Sequence, residues 1–488
     1  MRSWNGVQGL FLAVAAAACF VSTVSLSQAG DWARFRGPNG TGVSADSDPL
    51  PTTFSETENL KWKVALPGAG VSCPIVVGDK VFVTCYSGYG MERQNPGDMK
   101  DLKRHLVCIN RATGKTLWEK TVDAVLPEDE FGGPGVPEHG YASHTPVSDG
   151  KNVYVFYGKT GVLAYTVDGE ELWKASVGTG SDNMAWGSSS SPIVHDDLLV
   201  VAAGAEARAV VGLDKNTGKE LWRAASDNLG NVWGTPAVSK VDDSRTDIVI
   251  GAPYEIWGIN PATGKLRWFC NALESDQFNS SVVVTDSTIY ASEGGRSGGG
   301  SIAVKTGGKG DVTASNVAWT GSDSSRFSSP LLYDGRLYLL SSGMAKCISA
   351  ADGKEIFQAR LQAGAAGEGP GSGAPGGRGP GAGGPAGGGG GPGGFGGGGQ
   401  PPGGGGRGGR GGGGGFNIDY SSPVLGDGKI YYVTRGGDIH VIKAGDTFEK
   451  LATNRLTSES EEFSATPAIS DGQIFFRSSK HLYCVSAQ

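Results

Sequence analysis

The chain has 488 residues, and its 49 acidic side chains outnumber its 42 basic ones, so the net charge is -7 and the pI is near 5.5. A nucleic-acid partner would need a basic face, so this balance excludes nucleic acid as the main ligand. The cysteines lack the spacing of a zinc site, and no metal site is predicted from them.

The start of the chain predicts export. An apolar run from Leu10 to Val24 is followed by small residues at 27–29, where a signal peptidase cleaves. We therefore predict that residues 1–29 are a signal peptide cleaved near Ala29. The mature protein is expected to lack a transmembrane segment and to be periplasmic or secreted. Lipidation at Cys19 is an open alternative, although the flanking sequence is a poor lipoprotein signal.

After an N-terminal segment, residues 30–58, a repeated phrase fills residues 59–488. Each copy has a small residue and a proline, a turn, a β-rich run, and a glycine turn ending in tryptophan. Pro192 and Pro236 lie 44 residues apart, a period typical of propeller blades. Eight copies can be counted, and they begin at Pro74, Pro146, Pro192, Pro236, Pro330, Pro423, Pro467 and, without a proline, at Ser280–Ser281.

The repeats predict an all-β fold, an eight-bladed propeller of four-stranded antiparallel blades. Two β-rich runs flank Asp471–Gly472, a pair suited to a tight hairpin, and the pair recurs at Asp149, Asp334 and Asp427. The repeat tryptophans are predicted to be structural and to cover the seams between blades. These are Trp62, Trp118, Trp173, Trp222, Trp268 and Trp319.

The two ends of the repeat region are predicted to close the ring. The last unit stops at Leu482–Val485 without a tryptophan strand, and the first unit is preceded by the unassigned strand-like residues 59–64. We expect the N-terminal strand to complete the last blade, because this removes two free sheet edges at once.

One stretch is foreign to the repeat. Residues 364–415 are almost entirely glycine, proline and alanine, with Phe395 as the one large apolar side chain. Such a composition buries too little surface to offset the entropy of ordering, so a disordered insert between blades 6 and 7 is predicted. Alternatively, the insert is an arginine–glycine segment that binds polyanions.

Aromatic and polar residues precede most of the proline strands, on loops expected to enter the blades at the central funnel. Propellers hold ligands with such rings of side chains. The alternative is that these rings pack between blades. The candidate funnel residues are His139, Tyr141, Trp186, Trp233, Phe278, Arg326 and Tyr420.

The repeat phrase ending in Thr-Gly-Lys-x-x-Trp resembles the repeats of pyrroloquinoline-quinone (PQQ) propellers and of the BamB family. The opening Trp32–Gly42, followed by Leu60–Lys63, is similar to exported PQQ-like repeat proteins of planctomycete type. The resemblance runs from Trp32 to Gln488 apart from the glycine insert, and it implies the eight-bladed fold and export.

Three functions remain open at this point. The favoured one is a non-catalytic, monomeric scaffold without a cofactor, which binds an envelope protein or polysaccharide as BamB-like proteins do. The first alternative is a quinoprotein dehydrogenase with PQQ and calcium, although that family's calcium-ligand motifs cannot be placed on this chain. The second is a carbohydrate-binding or carbohydrate-active propeller, although no pair of carboxylates has a defensible spacing. No catalytic set is predicted, and the protein is expected not to be an enzyme.

Overall fold

The computed structural model describes residues 30–46, 48–294, 298–362 and 418–487. The predicted signal peptide, the site of possible lipidation and the glycine-rich insert lie outside the described residues. Within these ranges no helix is long and apolar enough to cross a bilayer.

The described residues form eight sheets, each with four antiparallel strands, so the prediction of an eight-bladed all-β propeller is confirmed. The first four sheets are blade 1 (Ile75–Val77, Lys80–Ser87, Lys103–Asn110, Thr116–Asp123), blade 2 (Val147–Ser148, Asn152–Phe156, Val162–Thr166, Glu171–Ala175), blade 3 (Ile193–His195, Leu198–Ala203, Ala209–Asp214, Glu220–Ala225) and blade 4 (Ala237–Asp242, Arg245–Ala252, Glu255–Ile259, Leu266–Asn271).

The other four sheets follow the same plan. They are blade 5 (Val283–Val284, Thr288–Gly294, Gly299–Lys305, Val317–Gly321), blade 6 (Leu331–Tyr333, Arg336–Ser341, Met344–Ser349, Glu355–Arg360), blade 7 (Val424–Gly426, Lys429–Val433, Ile439–Lys443, Lys450–Asn454) and blade 8 (Ala468–Ser470, Gln473–Arg477, His481–Ser486, Leu60–Ala65).

Blade 8 takes its outer strand from the N-terminal side of the chain. Leu60–Ala65 pairs antiparallel with His481–Ser486, with Val64 opposite Leu482. This is the predicted closure, and it is confirmed. A β-bulge between Leu60 and Trp62 shifts the register at the start of the strand.

The remaining regular elements are short. Gly310–Asp311 adds a fifth strand to blade 4, parallel to its outer strand. The helical turns of the described residues are Pro38–Gly40, Met99–Asp101, Val136–His139, Gly158–Thr160, Gly204–Ala207, Asp227–Asn231 and Thr313–Asn316.

The hydrophobic core lies between blades. One cluster joins Ile75 and Phe82 of blade 1 to Val153 and Leu163 of blade 2, and all four are fully buried. A four-stranded sheet has two apolar faces, so each face is removed from water by the neighbouring blade. The free energy of the fold therefore depends on the closure of the ring.

The repeat tryptophans lie at these seams, and in five of the six the ring covers the glycine of the Thr-Gly-Lys turn, or its counterpart, in the next blade. That glycine has φ between 69 and 91°, and a Cβ there would lie 2.5–3.0 Å from the ring. The pairs are Trp62 with Gly114, Trp118 with Gly169, Trp173 with Gly218, Trp222 with Gly264, and Trp319 with Gly353.

The indole N–H groups extend the same contact. In these five cases Nε1 donates to a backbone carbonyl of the next blade, at 2.7–3.3 Å. The tryptophan and the glycine turn of the repeat therefore form one joint made by two successive blades. A residue with a side chain could not replace the glycine without moving the ring.

Trp268 of blade 4 is the exception. It is fully buried, and its Nε1 donates to Asp247 of its own blade at 2.8 Å. The chain that follows the third strand of blade 5 is longer than elsewhere, because it carries Gly310–Asp311, which pairs with Trp268 and Phe269. That insertion occupies the place where the glycine turn lies in other blades.

The hairpin turns agree with the sequence at three of four positions. Asp334, Asp427 and Asp471 have φ of 48, 50 and 42°, each followed by a glycine with positive φ, as a two-residue turn requires. At Asp149 only the following glycine has positive φ. The loop there is longer, because Ser148 pairs with Val153.

Candidate functional site

A closed ring of hydrogen bonds surrounds the propeller axis. Its members are the residues directly before the first strand of each blade, which we call the axial ring. Each backbone N–H donates to the side chain of the equivalent residue in the next blade, at 2.9–3.2 Å. The order is Cys73, Thr145, Ser191, Thr235, Ser281, Ser329, Ser422, Thr466 and back to the sulfur of Cys73.

The prolines of the repeat explain why the ring is regular. Seven of the eight axial-ring residues stand directly before a proline. A residue before proline is held in extended conformation, so each N–H points the same way relative to its blade. The recurrent serine or threonine before proline was visible in the sequence, but its partner lies in another blade.

The N-terminal segment closes one end of the central channel. Arg34 and Arg36 reach blade 4 and blade 6, and Phe35 between them lines the central cavity. We call residues 32–43 the plug. It contacts five blades. The contacts are Trp32 with Val76, the Ala33 carbonyl with the Ser148 N–H, Arg34 with the Pro236 carbonyl, Arg36 with the Pro330 carbonyl, and the Gly42 carbonyl with the Leu425 N–H.

A cavity of about 750 Å³ lies between the plug and the loops that enter the blades. All eight axial-ring residues line it. Because the plug runs between opposite blades, we expect a ligand to enter from the side of the entry loops. The cavity is large enough for a small organic molecule or a few residues of a chain.

Aromatic pairs and stacked guanidinium groups form the wall. Trp186 and Trp233 have ring centroids 6.2 Å apart, and Phe327 and Tyr420 are 4.8 Å apart. Arg326 stacks on Phe327 at 4.9 Å, and Arg435 stacks on Tyr420 at 5.7 Å. Stacking holds the planar guanidinium group in a fixed orientation.

The charge of the cavity is opposite to that of the whole chain. Among its described lining residues are three arginines, at 93, 326 and 435, and one acid, Glu138. Glu138 accepts from Arg93 at 3.2 Å and from Arg435 at 2.6 Å. Although burial opposes ionisation, these guanidinium groups hold the pKa of Glu138 below its ordinary value. The wall therefore keeps a positive excess in a protein of net charge -7.

Hydrogen bonds set the position of Trp186. Both oxygens of the Asp182 carboxylate accept backbone N–H groups of this loop, including that of Trp186 at 2.9 Å. The Trp186 carbonyl accepts from His139 Nε2 at 2.7 Å, and Trp233 Nε1 donates to the Gly187 carbonyl at 2.9 Å. Burial lowers the pKa of His139, so a neutral ring positions the loop.

The seven residues expected at the funnel divide into two groups. His139, Trp186, Trp233, Arg326 and Tyr420 line the cavity. Tyr141 is buried, and its hydroxyl donates to the Asp129 carbonyl at 2.6 Å, while Phe278 is buried between blades 4 and 5. These two rings are core residues, as expected if candidate rings pack between blades and do not line the funnel.

Sequence reasoning missed several residues of the cavity. Phe35, Arg93, Glu138 and Arg435 line it, yet none was a candidate. The Trp32–Gly42 motif was a signal for Phe35, because aromatic and basic residues alternate there outside the repeat. Arg435 lies inside blade 7, and nothing local distinguishes it from a surface arginine.

A small buried polar cluster lies behind the wall. Glu206 is 6% exposed and accepts from the Ser188 hydroxyl, which is also 2.9 Å from His144 Nε2. Burial raises the pKa of Glu206 to about 7, although the bond from Ser188 lowers it. Burial lowers the pKa of His144 to about 3. Both side chains are therefore neutral between about pH 3 and pH 7.

This cluster predicts a pH-dependent stability. The raised pKa means that the folded protein keeps the Glu206 proton between about pH 4.5 and 7, where the unfolded chain loses it, so the contribution of Glu206 to stability falls as pH rises through this window. His144, whose pKa is lowered, contributes in the opposite direction as pH rises from about 3 to 6.5. Glu206→Gln should remove the Glu206 contribution alone, and it should stabilise the protein at pH 8 relative to pH 5 by roughly 3 kcal/mol. Urea unfolding at both pH values measures it.

The control for this experiment is Glu171→Gln, at an exposed position on blade 2. It should leave the difference between the two pH values as in the wild type. Equal effects of Glu206→Gln at pH 5 and pH 8 would show that Glu206 is ionised throughout. Glu293, whose pKa is also raised to about 7 by burial, keeps part of the wild-type dependence in both variants.

The fold and the cavity define an eight-bladed propeller with a plugged, cationic and aromatic funnel. The chain belongs to the family described as outer membrane protein assembly factor BamB, whose model matches residues 102–359.

Known proteins similar to the chain include BamB and several dehydrogenases. BamB from Moraxella catarrhalis has a TM-score of 0.52 at 10% identity, over 88% of this chain and 99% of that one. A europium-containing methanol dehydrogenase has a TM-score of 0.56 at 11% identity, over 95% and 99%. These two likenesses describe the fold.

A polyvinylalcohol dehydrogenase of Sphingopyxis sp. (strain 113P3) is 23% identical over 332 residues, which are 57% of this chain and 45% of that protein. The chain therefore spans less than half of the dehydrogenase that it matches.

The cavity fits the organic part of PQQ but not its calcium ion. Stacked aromatic rings and arginines suit a flat molecule with carboxylates. Calcium needs several oxygen ligands, and both oxygens of Glu138 are taken by arginines. Within the described ranges no three His, Cys, Asp or Glu side chains are arranged around a common metal position. We therefore assign no step of a reaction to calcium-bound PQQ.

Proposed function

We propose that the protein is a non-catalytic, exported propeller that binds or assembles an envelope protein or polysaccharide, and that its funnel holds part of that ligand. The observation that carries the proposal is the cavity itself, with its aromatic wall and its positive excess. Membership of the BamB family supports a scaffold role. The apolar run before residue 30 supports export.

The carboxylate and the imidazole among the described wall residues are both engaged by neighbouring groups, which supports a non-catalytic role. A general acid or base must be free to exchange a proton with the substrate. Glu138 is held between two arginines, and His139 uses both ring nitrogens, Nε2 on the Trp186 carbonyl and Nδ1 on Ser143 at 2.6 Å. The lining groups are therefore arranged to bind a ligand and to stay in place.

Replacing Trp186 and Arg326 together by alanine should weaken ligand capture at least tenfold, since the variant removes one aromatic face and one guanidinium group of the wall. Both residues are only half-buried, so the midpoint of thermal unfolding should stay within about 3 °C. The immobilised protein is tested against separate protein and polysaccharide fractions of the envelope.

The matched control is Leu221→Ala, on the outer strand of blade 3 at 53% exposure. It should leave both capture and stability as in the wild type. Capture that persists in the double variant would place the binding surface outside the funnel. A large fall in the unfolding midpoint would instead assign the two side chains to packing.

A second candidate is a quinoprotein dehydrogenase, which the matched polyvinylalcohol dehydrogenase favours. It is tested by titrating the protein with PQQ and calcium, with absorbance and calorimetry as readouts. We expect no stoichiometric PQQ signal that depends on calcium, because the donor set does not fit the ion. A saturable, calcium-dependent signal would overturn the scaffold proposal and justify a screen of alcohol substrates.

A further inference from the structure

Five hydroxyl groups of the axial ring carry a proton that no described residue accepts. Ser191, Thr235, Ser281, Ser329 and Ser422 each accept a backbone N–H through the hydroxyl oxygen. None of these hydroxyl groups donates to another described residue, and all five line the cavity. A hydroxyl group has one proton to donate. The axial ring, which forms the floor of the funnel together with Phe35, therefore presents a set of hydrogen-bond donors to a ligand in the cavity.

The guanidinium group of Arg36 is a buried positive charge next to the axial ring. Arg36 is fully buried, and its guanidinium group bonds only to the carbonyls of Pro330, at 2.6 Å, and Thr41, at 3.3 Å. Its Nε and Nη1 have no partner among the described residues, and no described carboxylate pairs with it. Burial lowers its pKa to about 9, which leaves it charged at neutral pH.

Arg326 supplies a second charge without a described acid. It forms no ion pair with a described carboxylate, and its buried Nε has no partner there. It lines the main cavity and also a side cavity of about 420 Å³. The other two arginines of the wall, Arg93 and Arg435, are already paired with Glu138.

An isolated buried cation is costly unless an anion or several hydrogen bonds compensate it. The described residues near the floor supply carbonyls to Arg36 and an aromatic face to Arg326, but no negative charge. The hydroxyl donors of the axial ring also favour a negatively charged ligand. An anion at the floor would satisfy the donors and the two charges together.

We propose that the floor of the funnel binds a carboxylate group, with Arg326 and the axial-ring hydroxyls as its direct donors and Arg36 as the charge beneath. The planar fork of a stacked arginine matches a carboxylate. This inference rests on the proposed use of the funnel as a binding site. Because the plug closes the channel, the carboxylate belongs either to a small molecule or to the end of a chain.

The test is a calorimetric titration of the protein with benzoate, and with benzamide as the uncharged matched probe. Benzoate should bind saturably with one site, at least tenfold more tightly than benzamide, and Arg326→Gln should weaken benzoate at least tenfold. Arg326→Lys should recover part of the loss. Ser329→Ala should weaken benzoate by about threefold, since one of several donors is removed.

Two further arms separate the sources of the carboxylate. Short peptides ending in phenylalanine, with a free or an amidated C-terminus, are tested as competitors of benzoate. Competition by the free peptide alone indicates a chain end, and competition by neither peptide indicates a small molecule. Both outcomes support a carboxylate site at the floor.

Equal affinity for benzoate and benzamide, or benzoate binding that Arg326→Gln leaves intact in a protein with wild-type unfolding, would overturn the inference. The proposed function fails in a different way, when the Trp186→Ala and Arg326→Ala double variant still captures the envelope ligand. A funnel that captures its ligand but does not distinguish benzoate from benzamide would keep the function and remove the carboxylate site.

Discussion

Val64→Pro is expected to open the ring and to lower the free energy of unfolding by about 4 kcal/mol. Leu66 donates to the Lys480 carbonyl at 2.8 Å, and hydrogen-bonded pairs alternate along an antiparallel ladder. The Val64 N–H therefore faces the Leu482 carbonyl, its partner in register. Proline removes this donor and leaves the buried Leu482 carbonyl unsatisfied. Denaturant unfolding measures the loss.

The same substitution one residue earlier is the matched control. Lys63 is exposed, and its N–H points away from blade 8, because the strand is the outermost of that sheet. Lys63→Pro should cost only about 1 kcal/mol, since proline is tolerated where an edge strand faces solvent. Limited proteolysis should cleave the Val64→Pro variant faster, because blades 1 and 8 lose their shared closure. Equal effects of the two prolines would contradict this account of the closure.

Trp268→Ala should be the most destabilising of the single tryptophan replacements, at about 4 kcal/mol. The ring is fully buried in the cluster between blades 4 and 5. Its loss creates a cavity and also removes the indole donor to Asp247, a fully buried carboxylate. Two arginines, Arg245 and Arg267, still pair with Asp247, so the carboxylate remains compensated in part. Urea unfolding with one cooperative transition gives the difference.

Trp268→Phe separates the two contributions. It keeps most of the apolar volume and removes only the indole N–H, so a loss of about 2 kcal/mol is expected. Trp222→Ala is the comparison at an ordinary seam, where the N–H bonds to the Pro261 carbonyl and the ring covers Gly264. A loss below 1 kcal/mol for Trp268→Ala would mean that the insertion between the third and fourth strands of blade 5 refills the site.

Most of the fold could be predicted because the repeat is local. The glycine turns and the proline strands are signals of a few residues each, and their period counts the blades. The closure by residues 60–65 could be predicted as well, since one outer strand was missing at the end and one was unassigned at the start. The fifth strand on blade 4 could not, because two residues, Gly310 and Asp311, have no strand signal of their own.

The site could be predicted only in part. Aromatic residues before the proline strands named five residues that line the cavity, but the same pattern included Tyr141 and Phe278, which are core residues. A loop aromatic can turn to the axis or to the next blade, and the choice depends on the packing of both. Glu138 and Arg435 lie 297 positions apart in the chain, and Arg34 of the plug lies 202 positions from its partner Pro236.

The sequence by itself determined the number of blades, the turns and the seam tryptophans, because each is encoded within one repeat and follows from local backbone geometry and side-chain size. The tertiary structure alone decided the axial ring, the plug beneath it and the charge of the funnel. The axial ring brings together one residue from every blade, the plug joins several blades, and these hydrogen bonds exist only when the ring is closed. The carboxylate site proposed at the floor is of this second kind, since its donors come from five blades and its buried charge from the N-terminal segment.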